Sequence, residues 1–422
     1  MSKLTGIHQQ QGAVMGERNG VIIPMSYGDV RAEHTAIRKN ILLSDYSHFG
    51  IASISGEGAW SLLNNLVSGD VSSIRDEQAM YSFILDEEGK IITDLYIACD
   101  DERFLLLSEW VTGEALCAML RAIFEGNEEE FEDIEAIESL TPEWGTLHIE
   151  GPYAWELLAE LYGMDVIGLP FQEHMRVGDL ILLRSGKHGE YSYKLMGSGD
   201  DLADAWDQLL EAGERYDLRT GGLDYQRLAR LENPCWEPQV FNDYSRCPIE
   251  LQMQWVVRYD KEHFTGLSAV RARLEEGVSQ HAVGMIIPGT PAHSPKRGDK
   301  VTLDGEDIGE VITYGYSEDL EAGLGRLMLV SPLAWADIEA YEIQTATGSI
   351  SVKTSAVPFV RNYSFLVNPS EHSYVDSSRP RDLLQQMEWQ KVKEEKEARE
   401  KAEKEAKEKA EKEATAANDC TP

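Results

Sequence analysis

The 422-residue chain is short of positive charge: 39 lysines and arginines stand against 74 aspartates and glutamates, a formal net charge of −35. Nucleic acid and anionic lipid are held by lysine and arginine clusters that neutralise phosphate, so the chain is expected to bind neither. Cysteine is scarce too. The five present (Cys99, Cys117, Cys235, Cys247 and Cys420) form no CxxC pair and no metal-type spacing. So sparse and odd a set points away from a disulfide framework and toward a reducing compartment. No window approaches eighteen apolar residues, so no spanning helix is expected, and the start, MSKLTGIHQQQ, lacks an apolar signal stretch. A cytoplasmic protein is the expectation. Also missing are a GxxxxGKS/T phosphate loop, a GxGxxG opening a helix after a strand, HExxH and GxSxG. The ten histidines are dispersed, and no metal, flavin or nucleotide site is expected. His34, four residues before Arg38, reads as a helix-surface or packing residue.

What is present is ample apolar material, 42% of residues, enough for two or three domains with cores of their own. The segments ISGEGAWSLLNNL (54–66) and IEGPYAWELLAEL (149–161) share Ile-x-Gly-x-x-Ala-Trp-x-Leu-Leu. Each reads as a strand end, a glycine turn and a helix that turns Trp and Leu to a core, with Trp60 and Trp155 as core residues. Between them MYSFILD, KIITDLYIACD and RFLLLSE read as strands and GEALCAMLRAIFEG as a helix. LILLRS and EYSYKLM give further strands, ADAWDQLLEAG and LDYQRLARLE helices. From about residue 280 short strands with glycine turns dominate, which predicts a small β-barrel or sandwich. Nine basic and nine acidic side chains alternate between Lys391 and Glu413 with no apolar seam, the pattern of a solvated helical or fraying tail. The fold class is α+β.

One residue disturbs this pattern. Asp94 sits inside the strand KIITDLYI, where aspartate is depleted and an unpartnered buried carboxylate is costly. From the strand alone, an exposed edge is the simpler explanation.

An ordered series of motifs changes that balance. IPMSYGDVRAEHTAIRKNILLSDYSHFG (23–50) places Pro24, Tyr27, Glu33, His34, Arg38, Asp45, Ser47 and His48 in the order found near the amino terminus of the folate-dependent aminomethyltransferases. AMYSFILDEEGKIITDLYI, GGLDYQRLARLE, PIELQMQWVVRYDKEHFTG, IGEVITYGYSEDL and VPFVR continue the series. The chain resembles that family, the T-protein family of the glycine cleavage system, over about residues 5–365. The resemblance implies a three-domain clover-leaf fold around a central hole that tetrahydrofolate, a co-substrate, enters. It divides the chain into a folate-binding body of two interleaved α+β domains (1–275), a C-terminal β-barrel domain (276–372) and a charged helical or disordered tail (373–422). It also implies that Asp94 is catalytic and lies beside N5 of the folate, that Tyr81 lines the folate pocket, and that Arg361 meets the ligand's carboxylates.

Several positions depart from the family. Lys194 stands where a glutamate accepts hydrogen bonds from the pterin, Lys187 replaces a tyrosine, and Gln226 replaces an arginine. A lysine offers donors and no acceptor, so Glu190 and Asp224 are the alternative acceptors. The changed wall points to a divergent member: a tetrahydrofolate-dependent one-carbon transferase taking a methyl or aminomethyl group from a small donor, and inclined to demethylation. The housekeeping version of the reaction would use a lipoyl carrier protein as partner. The rival reading is a non-enzymatic folate-binding or assembly protein of the same fold; the Lys-Gly-Cys-Tyr-x-Gly-Gln-Glu motif of such relatives is absent.

Overall fold

A computed structural model describes residues 4–418 except 102, 126, 128–130, 132 and 292; for residue 404 and those beyond 405 it describes the backbone alone. Cys420 and the rest of the last four residues lie outside the described residues. The chain divides into two units, Met1–Asn362 and Tyr363–Pro422.

The first unit is built on three large β systems beside a two-stranded ribbon, Val14–Arg18 with Val21–Ser26. A five-stranded sheet runs Ala79–Leu85, Ile91–Asp100, Arg103–Ser108, Gly50–Ser55, Ala136–Ser139. A six-stranded sheet runs His174–Val177, Leu180–Arg184, Ser192–Ser198, Trp144–Glu150, Leu42–Asp45, Arg219–Gly221, with only the last pair parallel. The chain leaves the second sheet after Asp45, builds the whole five-stranded sheet, and returns at Trp144. The two sheets are therefore interleaved in sequence. The third system is a closed six-stranded barrel, shut by pairing of Gln280–Pro288 with Gly348–Ser355. One barrel strand, Tyr341–Thr345, has no counterpart in the sequence reading. It buries only Tyr341 and Ile343, alternating with polar residues, and so gives a weak apolar signal.

Helices begin where capping side chains allow. Thr112 accepts from the amide of Ala115 to open Gly113–Phe124, and Ser198 accepts from Asp201 to open Gly199–Gly213. The repeated motif forms helices Ala59–Leu66 and Ala154–Tyr162, and both pairs of leucines are buried. Trp155 is buried as expected. Trp60 is not a core residue: it is 43% exposed. The Trp155 ring N–H donates to the Pro152 carbonyl at 3.0 Å, and one turn further along the second copy has the buried Ala159. The first copy has Asn64 there, a polar residue whose carbonyl accepts from the amide of Val71.

The strand Ile91–Asp100 pairs with Ala79–Leu85, where Asp94 faces Phe83, and from Tyr96 onward with Arg103–Ser108 as well; Asp94 is buried, not exposed at an edge. The edge-strand explanation of Asp94 is thereby overturned. His34 is a packing residue, buried on the helix Val30–Lys39 with its ring 3.0 Å from Glu232.

In the second unit the helix Leu383–Asn418 carries the charged repeat, with i,i+4 pairs such as Arg399–Glu403 at 3.1 Å. Its described side chains from Met387 onward are exposed. Exposed pairs of this kind contribute a few tenths of a kcal/mol. Deleting the residues after Gln386 should leave the melting temperature unchanged within error. A fall of more than about 5 °C in calorimetry, on the order of 1–2 kcal/mol for a domain of this size, would contradict that.

Candidate active site

Asp94 is 1% exposed. Its Oδ2 accepts two short hydrogen bonds, from the Tyr81 hydroxyl at 2.6 Å and from Lys187 Nζ at 2.6 Å. Tyr81 comes from the adjacent strand; Lys187 comes from the hairpin loop that joins Leu180–Arg184 to Ser192–Ser198. Oδ1 of Asp94 is buried and has no partner among the described residues. Lys187 also donates to Glu109 Oε2 at 3.3 Å, and Arg230 donates to Glu109 Oε1 at 2.6 Å and to Glu237 at 3.2 Å. Asp94, Lys187, Glu109, Arg230 and Glu237 thus form a chain of alternating sign drawn from four distant segments.

Burial disfavours each of these charges, and the partners decide the outcome. Desolvation works against the Lys187 ammonium, but Asp94 and Glu109 outweigh it and hold the group above the ordinary lysine range. Desolvation likewise opposes the charge of Glu109, yet Arg230 and Lys187 hold it well below the usual carboxylate range. The Tyr81 phenol is pushed up by burial and by Asp94, so it stays a donor. Its ring stacks near Trp255, centroids 6.1 Å apart, and lines a cavity of about 350 Å³.

A second cluster adjoins the first through Arg230, whose Nε lies 3.4 Å from His188 Nε2. His188 Nδ1 is 2.9 Å and His148 Nε2 3.5 Å from Glu150 Oε2, and Glu150 Oε1 is a buried acceptor with no partner. Burial pulls His148 down to about 4 and lowers His188 as well, so both rings are neutral donors at neutral pH. The three donor atoms lie close enough to grip a divalent ion. Arg230, and Lys194 whenever it is protonated, stand beside them, however, and oppose a further positive charge. Tyr225 and Tyr46 hydroxyls, 2.7 Å apart, and Gln226 Nε2 donating to Tyr46 at 2.7 Å complete the wall.

The remaining sequence-derived positions divide. Lys194 is buried in the site wall, donating to the Ser185 carbonyl at 3.0 Å and hydroxyl at 3.2 Å, 4.8 Å from the Tyr96 ring centroid. Glu190 is held by Arg38 at 3.1 Å, and Asp224 is exposed. Arg361 is exposed, and none of the contacts just described involves it. Sequence reasoning missed Glu109, Arg230, Glu150 and His188. Glu109 ends the apolar run RFLLLSE, and Arg230 lies one helical turn beyond Gln226, which were the available signals.

The family defined by the GCVT N-terminal domain matches residues 4–261. An aminomethyltransferase of Lysinibacillus sphaericus is 30% identical over 365 residues, covering 84% of this chain and 96% of that protein. One from Thermoanaerobacter pseudethanolicus is 28% identical over 75% of this chain and 85% of its own length. The glycine cleavage system aminomethyltransferase T of Bartonella henselae shares the fold, with a TM-score of 0.71 at 23% identity, over 85% of this chain and 97% of that one. The fold is that of the aminomethyltransferases. The chain belongs to the glycine cleavage T-protein family. Among the described residues no helix is long and apolar enough to cross a membrane.

Burial lowers Lys194 to about 7 from the ordinary 10.5, and Lys187 adds repulsion. Below pH 7 the ammonium is charged in both folded and unfolded chains, and its burial penalty is fully felt. Between about 7 and 10.5 the unfolded chain binds a proton that the folded one has lost, so folded stability rises with pH. Lys194→Met should therefore gain most over wild type at pH 6, by a few kcal/mol at roughly 1.4 kcal/mol per pKa unit. The gain should shrink toward pH 10. Urea unfolding of both proteins across that range checks it; a difference that stays constant with pH contradicts it.

Proposed function

We propose that this protein transfers a one-carbon unit from a small methylated or aminomethyl donor to tetrahydrofolate, with Asp94 at the reaction centre of the 1–275 body. The observation that carries the reading is the state of the Asp94 carboxylate. One oxygen is saturated by Tyr81 and Lys187, while the other is buried and unpartnered. An orphaned acceptor costs about 1–3 kcal/mol, and a bound N–H removes that cost.

When bound, tetrahydrofolate would supply N5 as the acceptor of the one-carbon unit. Asp94 would hold the N–H there through its unpartnered oxygen, and its charge would offset positive charge developing at that position. Tyr81 and Lys187 fix the carboxylate so that no reorganisation is needed. Arg361, exposed at the end of the barrel segment, is assigned to the carboxylate tail. The pterin end fits less directly, because Lys194 donates to Ser185 and accepts nothing. Glu190 is engaged by Arg38; among the described residues Glu150 Oε1 is a buried acceptor without a partner.

The altered wall (Lys187, Lys194, Gln226) favours a demethylation over the aminomethyl reaction that draws on a lipoyl carrier protein. In the first, the donor's heteroatom leaves with the bonding pair and the acceptor nitrogen loses its proton. In the second, ammonia is released and the carrier thiol is regenerated. The setting we assign is the cytoplasm, on the sparse, free cysteines. A binding-only role draws on a single observation, that Lys187 already neutralises Asp94.

Incubation with tetrahydrofolate and candidate donors, followed by mass identification of the folate product, separates the three. Methyl-tetrahydrofolate marks demethylation, methylene-tetrahydrofolate with ammonia marks aminomethyl transfer, and no product with tight folate binding marks the binding role. Asp94→Asn keeps the shape and removes the charge, so turnover should fall at least about a hundredfold. Lys187 retains Glu109 in that variant, which limits the structural damage. Wild-type turnover in Asp94→Asn would remove Asp94 from the chemistry.

A further inference from the structure

The barrel strand Ala322–Val330 turns Leu327 and Leu329 into the barrel core and Met328 outward, into an apolar cluster with Phe83, Trp236 and Phe241. Arg326 lies two residues before Met328 and so shares its outward face. Its neighbours predict a leucine or methionine there. The guanidinium instead sits 5.8 Å from the Phe241 ring centroid, beside a bulge at Ile312 in the neighbouring strand.

Arg326 is 7% exposed, and among the described residues no carboxylate, carbonyl or hydroxyl pairs with it; its Nε is buried and unpartnered. In a chain with 74 acidic side chains an unpaired buried guanidinium is an anomaly. Charge buried alone is expensive and is kept where something else will meet it. Burial pulls Arg326 down to about 10, so it remains charged at neutral pH.

The space beside it shows what could meet it. Arg326 lines two cavities, of about 630 and 820 Å³, which share Pro234, Cys235 and Phe241 in their walls. Among the described residues lining the smaller, Arg326 and His281 are the ionisable basic groups and no carboxylate is present, beside Phe241, Met253, Trp255 and Trp335. The larger reaches Glu109 and Arg230; there Arg18, Arg227, Arg230 and Arg326 outnumber Glu109, Asp224 and Glu237.

We propose that Arg326 is the anchor of an anion site, and that these cavities take a small organic carboxylate with an apolar or aromatic body. The guanidinium fork receives the carboxylate bidentately while the aromatic wall covers the body. This rests on the cavity and not on one-carbon transfer. The carboxylate is either that of a free acid, such as a donor, or that of a carboxyl-bearing cofactor tail.

Calorimetric titration with benzoate and its neutral isostere benzamide tests the site without requiring turnover. Wild type should bind benzoate at least tenfold tighter, and Arg326→Met should lose that preference. Equal binding of the two by wild type, or a preference that survives in Arg326→Met, overturns the proposal. Arg326→Met without ligand should melt at or above the wild-type temperature, since an uncompensated charge has been removed. A lower melting temperature would give the guanidinium a partner in the fold and also overturn it. 4-Aminobenzoyl-glutamate assigns the source: displacement of benzoate in an Arg326-dependent way assigns the site to a cofactor tail, and benzoate binding that it leaves undisturbed assigns it to a free acid.

Discussion

The ion pair between Lys187 and Asp94, 2.6 Å long and almost wholly out of water, decides how the rest of the site is arranged. A carboxylate in the middle of an apolar sheet cannot stay charged alone, and an ammonium brought to meet it cannot stay charged without further anions. Glu109 supplies one, which then requires Arg230, which in turn reaches Glu237 and His188. Each member is tolerable only because the next is present. Such chains are strongly non-additive, and removing a single partner from a buried pair costs about 3–5 kcal/mol. The same demand recurs around Glu232, which His34, Arg38 and Ser317 all serve. Arg326 is the exception that this pattern makes visible.

The architecture was largely legible because it rests on local periodicity. The strands around Asp94, the helix from Gly113 and most barrel strands announce themselves through apolar alternation or capping residues. Misses occur where local pattern and tertiary surroundings part. Trp60 and Trp155 sit in near-identical motifs, yet one indole is 43% exposed and the other buried, a difference the shared pattern does not carry. Asp94 and Tyr81 are assigned to a site only through the ordered series of family motifs, and the structure places their side chains 2.6 Å apart. Glu109, Glu150, His188 and Arg230 meet only through long-range contacts, and nothing in their own neighbourhoods marks them as partners.

Lys187 and Lys194 shape the electrostatics of this wall in two different ways. They occupy the same hairpin and repel each other, yet they differ in kind. Lys187 is pinned as a cation by two carboxylates. Lys194, held by a carbonyl and a hydroxyl, keeps its proton only weakly. One cation in the wall is permanent and the other is set by pH.

The interleaving of the two sheets bears on how the chain is made. The strand Leu42–Asp45 pairs with Trp144–Glu150 on one side and Arg219–Gly221 on the other, so its first partner is translated roughly a hundred residues later. At about 5–20 residues per second, an early apolar strand leaves the ribosome and waits roughly 5–20 s for its neighbour, and longer for the second. During that interval both its edges are open to other nascent chains. Asp45 at its tip, and the mutual repulsion of a polypeptide this acidic, then act before any native contact exists: they keep a half-made sheet from finding the wrong partner.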